Sequence, residues 1–382
     1  MKPAIDNLEA HSSILNGKKI GLITNQTGVT SSFEPTINLL HKNFNLIKLF
    51  APEHGVRGDL QAGIMLEGYT DNATSLPVIS LYGANRRPSA ENLADVDILA
   101  FDIQDVGSRF YTYLYTMAYA MQSCAENNKK FVIFDRPNPL NADTVEGNIL
   151  NTEYKSFIGL YPIPQRYGLT IGECAKMFNE EFDINCDLEV IPITNYDRKK
   201  HMTNEHWVLP SPNIPTIETC FTFNATCIFE GTNVSEGRGT ATPFNTIGAP
   251  WINAQELADI LNNENLPGVH FRAHHFTPIK YHPTLSKYPG ELCNGVYLHL
   301  LDCAAFQPIK TGLTVLYKIR EKYEGHFAFN PPFTNDGRPM IDYNTGDKYI
   351  REGKLSLNKV LEIYEQDAMA FKKIKQKYHI YK

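Results

Sequence analysis

The sequence predicts an α/β protein: a Rossmann-like, mostly parallel sheet with helices on both faces, plus a smaller C-terminal α/β domain. Short apolar runs alternate with helix-like segments through the first half of the 382-residue chain, which is typical of a parallel sheet buried on both faces. From about Pro250 onward the composition changes to more His, Tyr and Pro. Because the length exceeds that of one average domain, we expect domains over residues 1–248 and 249–382.

Five compact apolar runs in the first half are the expected strands. A predicted helix around residues 33–41 connects the first two strands. A longer helix over residues 113–127 places Leu114, Met117 and Met121 on one face. The predicted strands are residues 19–25, 46–50, 76–81, 96–102 and 130–135.

Further helices and strands are predicted in the rest of the chain. Thr170-Ile-Gly-Glu173 is a capping box that opens one helix. Asn253 caps a second helix, and Ser356 precedes an amphipathic helix near the C-terminus. Residues 188–193 and 221–229 resemble additional strands.

Composition and charge exclude several classes of protein. Hydrophobic residues make up 42% and charged residues 20% of the chain, and the formal net charge is −6, which is ordinary for a globular protein. The sequence contains neither a basic face for nucleic acid nor an apolar run of about 18 residues for a membrane span. The N-terminal segment lacks the apolar region of a secretory signal. We therefore expect a cytoplasmic protein, or alternatively a periplasmic or secreted one whose leader was removed.

The most informative segment is APEHGVRGDLQAG, residues 51–63, which directly follows the second predicted strand. It places a carboxylate, an imidazole and a guanidinium on a glycine-containing turn, through Glu53, His54 and Arg57. Ligands of open α/β sheets bind at the carboxyl ends of the strands, so this segment is a candidate active site. The alternative for Glu53 is a helix cap or a loop salt bridge with Arg57.

Three other segments are rich in polar residues and glycine: 102–113, 135–140 with the nearby Glu146-Gly147, and 229–251. Polar residues follow all five predicted strands, which indicates one ligand-binding edge. Asp102 and Asp105 could instead pair with Arg109, Glu236 could pair with Arg238, and the proline-rich turn at 135–140 could be architectural. The candidate ligand-binding residues in these segments are Asp102, Asp105, Arg109, Tyr111, Asn138, Glu230, Asn233, Glu236 and Arg238.

The combination of aromatic side chains with carboxylates and guanidinium groups suits sugars, whose rings offer apolar faces and hydroxyl groups. A glycosidase needs one protonated carboxyl group near the scissile oxygen and an environment for an oxocarbenium-like transition state. Glu53 is the predicted acid. Glu230 and Glu236 are the alternatives, because both lie on the glycine-rich segment 229–251.

No cofactor and no metal are expected. The turn after the first strand lacks both Gly-x-Gly-x-x-Gly and the phosphate-loop ending, and the chain has no His-Glu-x-x-His. Seven widely spaced cysteines without a Cys-x-x-Cys pair predict buried thiols in a reducing compartment. The alternative is a mixed metal site of His54 with Asp59, Asp102 or Asp105, as a deacetylase or amidase of amino sugars would need.

Taken together in order, these segments resemble the NamZ-like (YbbC-like) family of exo-β-N-acetylmuramidases. The resemblance extends over residues 21–251, about two-thirds of the chain. Besides the segments above, it rests on GLITNQTGV at 21–29, SLYG at 80–83, VEGNIL at 145–150, IPQRYGLTIGE at 163–173 and PSPNIPT at 210–216.

The resemblance implies removal of one N-acetylmuramic acid from the non-reducing end of peptidoglycan fragments. It also implies a substrate cleft between the two domains, with Glu53 as the catalytic glutamate. The lactyl carboxylate of muramic acid requires a cation, and Arg57, Arg109 and Arg238 are the candidates. The second catalytic group stays open between a distant carboxylate, a nucleophilic one and the acetamido group of the substrate.

Two further points stay open beside the resemblance. A non-catalytic protein that binds cell-wall sugars is the alternative function, and the oligomeric state is not determined by the sequence. Members of the family are expected to carry an export signal, so this chain is either an internal recycling enzyme or one whose leader was removed.

Overall fold

The computed structural model describes residues 1–58, 68–83, 85–282, 285–332 and 337–382. The described strands form one larger and one smaller sheet. The larger sheet contains β1 (Ile20–Thr24), β2 (Leu46–Ala51), β3 (Tyr69–Thr70), β4 (Pro77–Ser80), β5 (Ile98–Asp102), β6 (Lys130–Phe134) and β7 (Asp187–Ile191). The smaller sheet contains β8 (Thr246–Ala249), β9 (Val269–Phe276) and β10 (Cys293–Leu300).

Helices surround both sheets. The N-terminal part of the chain contains α1 (Ser12–Leu15), α2 (Thr36–Asn43), α3 (Ala90–Leu93), α4 (Tyr113–Glu126) and α5 (Ile171–Glu181). The remainder contains α6 (Ile217–Thr226), α7 (Ala254–Asn263), α8 (Pro308–Lys322), α9 (Met340–Thr345), α10 (Tyr349–Glu352) and α11 (Leu357–Lys375). No helix in the described ranges is both long and apolar enough to span a bilayer.

The larger sheet has the strand order β3-β4-β2-β1-β5-β6-β7. Its strands pair in parallel, except that β3 is antiparallel to β4. The chain runs outward from β1 through β2 to β4 and then continues with β5 on the other side of β1. This reversal is a topological switch point, where ligands of such sheets bind. The predicted fold class is confirmed.

Alternate side chains of the central strands enter two separate cores. Ile23 and Phe50 pack in the core that contains Met117 of α4. Leu22 and Leu49 pack on the opposite face, in the core that contains α2. Because all of these strand residues are buried, the strands show continuous apolar runs in the sequence rather than alternation.

The smaller sheet is antiparallel, with the order β8-β10-β9. Helix α7 packs against β9 and β10. Strand β8 includes residue 248, so the predicted division of the chain at 248/249 falls within a strand of this sheet. The exact domain boundary stays a prediction.

The segment 221–229, predicted as a strand, is helical, and that prediction was wrong. Helix α6 begins after Thr216, whose hydroxyl accepts a hydrogen bond from the backbone N–H of Thr219. It is followed by a 3₁₀ turn over Cys227–Gly231. Most of α6 is buried, so its sequence lacks the polar stripe that marks a surface helix.

Helix α11, near the end of the chain, is bound at its last turn to the connection between β6 and α5. Its N-cap is Ser356, as predicted, and the Ser356 side chain accepts a hydrogen bond from the backbone N–H of Lys359. Lys375 is buried near the other end, and its Nζ donates to the carbonyl oxygens of Ala142, Asp143 and Gly168 at 3.0, 2.9 and 2.6 Å. Burial lowers the pKa of Lys375 to about 8, and the positive charge of Arg198 adds to this effect.

Candidate active site

A cavity of about 340 Å³ lies at the carboxyl end of the larger sheet. One side is formed by the connections after β2, β4 and β5. The other side is formed by α6, the 3₁₀ turn that follows it and the segment around residue 238. The polar and charged residues that line this cleft include Glu53, His54, Tyr82, Arg86, Thr112, Ser211, Asn213, Glu230, Arg238 and Asn344.

Glu53 lies in a tight turn directly after β2. The turn closes with a hydrogen bond from the Gly55 N–H to the Pro52 carbonyl at 3.1 Å. His54 and Gly55 have φ angles of 74° and 80°. Left-handed backbone is disfavoured for a residue with a side chain, and such conformations are concentrated at functional sites. The turn therefore fixes the direction in which Glu53 leaves the sheet.

The Glu53 carboxylate is surrounded by hydroxyl groups. Thr112 Oγ1 donates to Glu53 Oε2 at 2.9 Å. The Tyr82 side chain also lies close to Glu53, and burial together with the charge of this carboxylate raises the pKa of Tyr82. Tyr82 is thus a neutral donor. The Tyr113 hydroxyl lies 2.7 Å from the Pro210 carbonyl oxygen and holds the segment at 210–214 beside α4.

The opposite side of the cleft carries a cluster of four charged residues. Arg238 donates from Nε and Nη2 to Glu230 Oε1 at 3.0 and 2.6 Å. Its Nε lies 3.7 Å from Glu236 Oε1, and Lys287 Nζ donates to Glu236 Oε2 at 2.7 Å. Burial lowers the pKa of Arg238, but the negative charges of Glu230 and Glu236 outweigh that effect and raise it. The cluster combines two negative and two positive charges.

Aromatic rings complete the cleft. The ring of Tyr111 packs edge-on against Tyr113 and Phe223, with centroid distances of 4.9 and 5.9 Å. Phe223 in turn packs edge-on against Phe244 at 4.7 Å. Burial raises the pKa of Tyr111 well above its ordinary value, so its phenol stays neutral. Such a surface suits a ligand with both apolar faces and hydroxyl groups.

Among the residues predicted from the sequence, Glu53, His54, Tyr111, Glu230 and Arg238 line the cleft. Glu236 does not line it, but contacts it through Arg238.

Asp102 and Asp105 lie in the interior beneath the cleft. Asp102 forms an ion pair with Arg136 and accepts a hydrogen bond from Thr36. Asp105 accepts from Tyr167 and from the Gly107 N–H. Burial raises the pKa of Asp105 to about 6, although these hydrogen bonds oppose the rise. Both carboxylates hold connections of the sheet together.

Arg109 and Asn138 are also buried, and their side chains bind the backbone. Arg109 Nη1 donates to the carbonyl oxygens of Asn148 and Ile163, both at 2.8 Å. Asn138 Nδ2 donates to the Leu169 carbonyl at 2.9 Å. The sequence cannot separate such a role from ligand binding, because both need a polar side chain after a strand.

Arg57 and Asn233 lie away from the cleft. Arg57 donates from Nε and Nη2 to the two oxygens of Asp71 at 3.0 and 2.9 Å. The side chain of Asn233 donates to the His326 carbonyl and accepts from the Ala328 N–H. The salt bridge of Glu53 with Arg57, the alternative to a catalytic role, is therefore not formed.

The alternative metal site cannot be placed in full, because Asp59 lies outside the described residues. Within the described ranges, no three His, Cys, Asp or Glu side chains are grouped closely enough to hold a metal ion.

Arg86 and Lys287 are the charged residues that sequence reasoning missed. Arg86 follows β4 in the segment ANRRPS, which lacks the glycine and acidic residues of the four segments considered. The signal that could have found it is its position: like Glu53, it follows a strand of the parallel sheet.

Comparison with known proteins finds matches to one family along nearly the whole chain. Residues 20–218 match the family model "Exo-beta-N-acetylmuramidase NamZ, N-terminal", and residues 221–381 match its C-terminal counterpart. The chain is 48% identical over 374 residues to the peptidoglycan beta-N-acetylmuramidase NamZ of Bacillus subtilis (strain 168), covering 96% of this chain and 88% of that protein.

Two solved structures of DUF1343 family proteins from Bacteroides fragilis NCTC 9343 share the fold. One has a TM-score of 0.89 at 36% identity, and the other has a TM-score of 0.76 at 30% identity. Each alignment covers 100% of this chain and 99% of the other. Since both family models match and the curated relative aligns along nearly all of the chain, this protein belongs to the exo-β-N-acetylmuramidase NamZ family.

Proposed function

We propose that the protein is an exo-acting glycoside hydrolase that releases N-acetylmuramic acid from the non-reducing end of peptidoglycan fragments. In this proposal Glu53 is the general acid/base. Family membership supports the reaction. The observation that supports the role of Glu53 is its position in the cleft, at the end of β2, with Thr112 as a hydrogen-bond donor and Tyr82 nearby.

The chemistry follows from these contacts. Protonated Glu53 donates its proton to the glycosidic oxygen as the bond to the anomeric carbon breaks. The Thr112 and Tyr82 hydroxyl groups then donate to the carboxylate that forms. Glu53 also lies beside the N-terminus of α4, through its bond to Thr112, where the helix dipole favours a negative charge. The same carboxylate can later accept a proton from the water molecule whose oxygen adds to the anomeric carbon, which completes the hydrolysis.

The size of the cleft supports action on a terminal sugar. Small-molecule sites generally have volumes of about 300–1,000 Å³, and this cleft, at about 340 Å³, is near the lower limit. A volume of this size fits one amino sugar better than several units of a glycan chain. The rings of Tyr111 and Phe223 supply apolar surface for that sugar.

We further propose that Glu230, the other glutamate lining the cleft, does not transfer the proton. Its carboxylate is held by two hydrogen bonds from Arg238, and protonation would weaken this ion pair. Its role in this proposal is to position Arg238 on the side of the cleft opposite Glu53.

Product analysis of a muramic-acid–glucosamine disaccharide tests the reaction. The wild-type protein is expected to release free N-acetylmuramic acid and free N-acetylglucosamine. Release of acetate without cleavage would instead indicate a deacetylase. Binding without turnover would indicate a non-catalytic sugar-binding protein.

Two substrates with different leaving groups test the role of Glu53. An acid is needed most when the departing oxygen is a poor leaving group, as in the disaccharide, and least for a nitrophenyl muramide. We expect Glu53→Gln to lower kcat by about 10²- to 10⁴-fold on the disaccharide and by a much smaller factor on the nitrophenyl substrate. Equal losses on both substrates would contradict the assignment of Glu53 as the acid.

A further inference from the structure

We propose that Arg86 binds the lactyl carboxylate of the substrate and so selects muramic acid over glucosamine. This inference rests on the proposed function, because it concerns the sugar that the same cleft accepts. Muramic acid differs from glucosamine by one lactyl ether, which carries a carboxylate. A site that selects for this group needs a cation whose charge is not already neutralised by the protein.

Two arginines line the cleft within the described part of the chain, Arg86 and Arg238. The Arg238 guanidinium is occupied, because it donates to Glu230 and lies close to Glu236. A substrate carboxylate at Arg238 would have to displace Glu230 and lie near two negative charges.

The other arginines considered from the sequence are also occupied. Arg57 is paired with Asp71, and Arg109 is fully buried against backbone carbonyl oxygens. Neither arginine lines the cleft. A new ion pair with either would first require an existing contact to be lost.

Arg86 is arranged differently. Its guanidinium carbon lies 4.3 Å from the centroid of the Phe157 ring, within the distance of about 6 Å for a cation–π contact. No carboxylate of the described residues forms an ion pair with it. A contact with a ring does not neutralise the charge, and a guanidinium carries five N–H donors, so donors remain for a bidentate contact with a carboxylate.

The position of Arg86 also fits the chemistry at Glu53. Phe157 packs against Tyr82, with ring centroids 6.4 Å apart, and Tyr82 lies close enough to Glu53 for the carboxylate charge to raise its pKa. Arg86, Phe157, Tyr82 and Glu53 therefore form one continuous side of the cleft. In this inference one sugar places its glycosidic oxygen at Glu53 and its lactyl group at Arg86.

Two substrates that differ in one charge test this inference. The first is a nitrophenyl β-N-acetylmuramide with a free lactyl carboxylate, and the second is its neutral lactyl methylamide. We expect Arg86→Gln to lower kcat/KM for the acid by about 10- to 100-fold, the range for hydrogen bonds to a charged group, mainly through KM. The value for the amide should stay within about threefold, and Arg86→Lys should restore part of the loss for the acid.

Arg87→Gln is the matched control. Arg87 is the next residue, but it forms an ion pair with Glu126 and donates to Ser123, and it does not line the cleft. Its substitution should leave kcat/KM unchanged for both substrates. Thermal unfolding of each variant checks that the fold is retained.

The outcomes separate this inference from the proposed function. If the wild-type protein cleaves both substrates equally well, or if Arg86→Gln keeps the preference for the acid, the role of Arg86 is wrong while the hydrolase function stands. Equal losses on acid and amide also overturn it, because a charge contact affects only the acid. If the wild-type protein cleaves neither of these substrates nor the disaccharide, the proposed function itself fails.

Discussion

Among the described residues, two glutamates line the cleft, and they lie in opposite kinds of surroundings. Glu53, on the sheet side, accepts a hydrogen bond from the neutral hydroxyl group of Thr112, and the neutral Tyr82 side chain lies nearby. Within the described ranges, no Lys or Arg nitrogen forms an ion pair with it. Glu230, on the other side, is bound directly by the Arg238 guanidinium.

This difference supports Glu53 rather than Glu230 as the proton donor of the proposed reaction. Hydroxyl groups can donate to a carboxylate or accept from a carboxylic acid, so both forms of Glu53 keep their partners. A guanidinium can only donate, so Glu230 loses contacts when it is protonated. Three predictions test this comparison and one tests the buried Lys375, and the four are ordered from the largest expected effect to the smallest.

The first prediction compares the two glutamates in catalysis. Glu53→Gln should lower kcat on the disaccharide by about 10²- to 10⁴-fold, since it removes the proton donor. Glu230→Gln should lower it by less than about tenfold, the effect of one weakened hydrogen-bond pair. Steady-state release of N-acetylmuramic acid measures both values. Equally large losses would show that both carboxyl groups take part in the chemistry.

The second prediction concerns stability, for which we expect Glu230→Gln to have the larger effect and Glu53→Gln the smaller one. Glu230→Gln should lower the free energy of unfolding by about 1–3 kcal/mol, because it removes the charged partner of a largely buried Arg238. Glu53→Gln should change it by less than about 1 kcal/mol, since the amide oxygen still accepts from Thr112. Urea denaturation of the two variants gives this comparison. A larger loss of unfolding free energy for Glu53→Gln would contradict the assignment of Glu230 as the structural carboxylate.

The third prediction concerns Lys375, which joins α11 to the N-terminal part of the chain. Burial holds its folded-state pKa at about 8, below the ordinary value of 10.5. Between these values the unfolded chain binds more protons, so the contribution of Lys375 makes the free energy of unfolding rise with pH. We expect a rise of about 1–2 kcal/mol from about pH 7.5 to 10.5 relative to Lys375→Met.

Denaturant unfolding of both proteins at the two pH values checks this sign. Other lysines and tyrosines titrate in the same range. The contribution of Lys375 is therefore the difference in unfolding free energy between the wild-type protein and Lys375→Met at each pH. Parallel curves would mean that Lys375 titrates normally in the folded protein.

The fourth prediction is the smallest and concerns the sheet side of the cleft. Thr112→Val removes one hydrogen-bond donor to Glu53 and should lower kcat on the disaccharide by about 3- to 10-fold. The Thr112 side chain makes no capping hydrogen bond to α4, so stability should change little. Thr116→Val is the control, because its hydroxyl bonds to a backbone carbonyl of the same helix. An equal loss in the control would indicate a general effect on α4.

Much of the larger sheet could be predicted because its strands are buried on both faces. Runs such as ILAFD in β5 contain little besides apolar residues, and the turn after β2 is marked in the sequence by Glu53, His54 and Gly55. Helix α6 could not be predicted in the same way. It is also buried nearly all round, so the apolar pattern does not separate a helix from a strand there.

The candidate site was predicted only in part, for a related reason. Polar residues after strands were expected to meet a ligand, yet Asp102 and Arg109 bind other parts of the chain from the interior. Arg86 was not predicted, because a basic residue in an exposed loop is common. What distinguishes it is its contact with Phe157, which lies far along the chain beyond β6, and no local pattern encodes such a contact.

The left-handed backbone at His54 has a consequence for redesign of this protein. A β-branched residue is strained at such a φ, so valine, isoleucine or threonine at position 54 would push the turn toward another shape. The carboxyl group one residue earlier would then be re-aimed even though it had not been altered. Mutant libraries for new sugar specificities should therefore leave this turn fixed and vary the loop that follows β4.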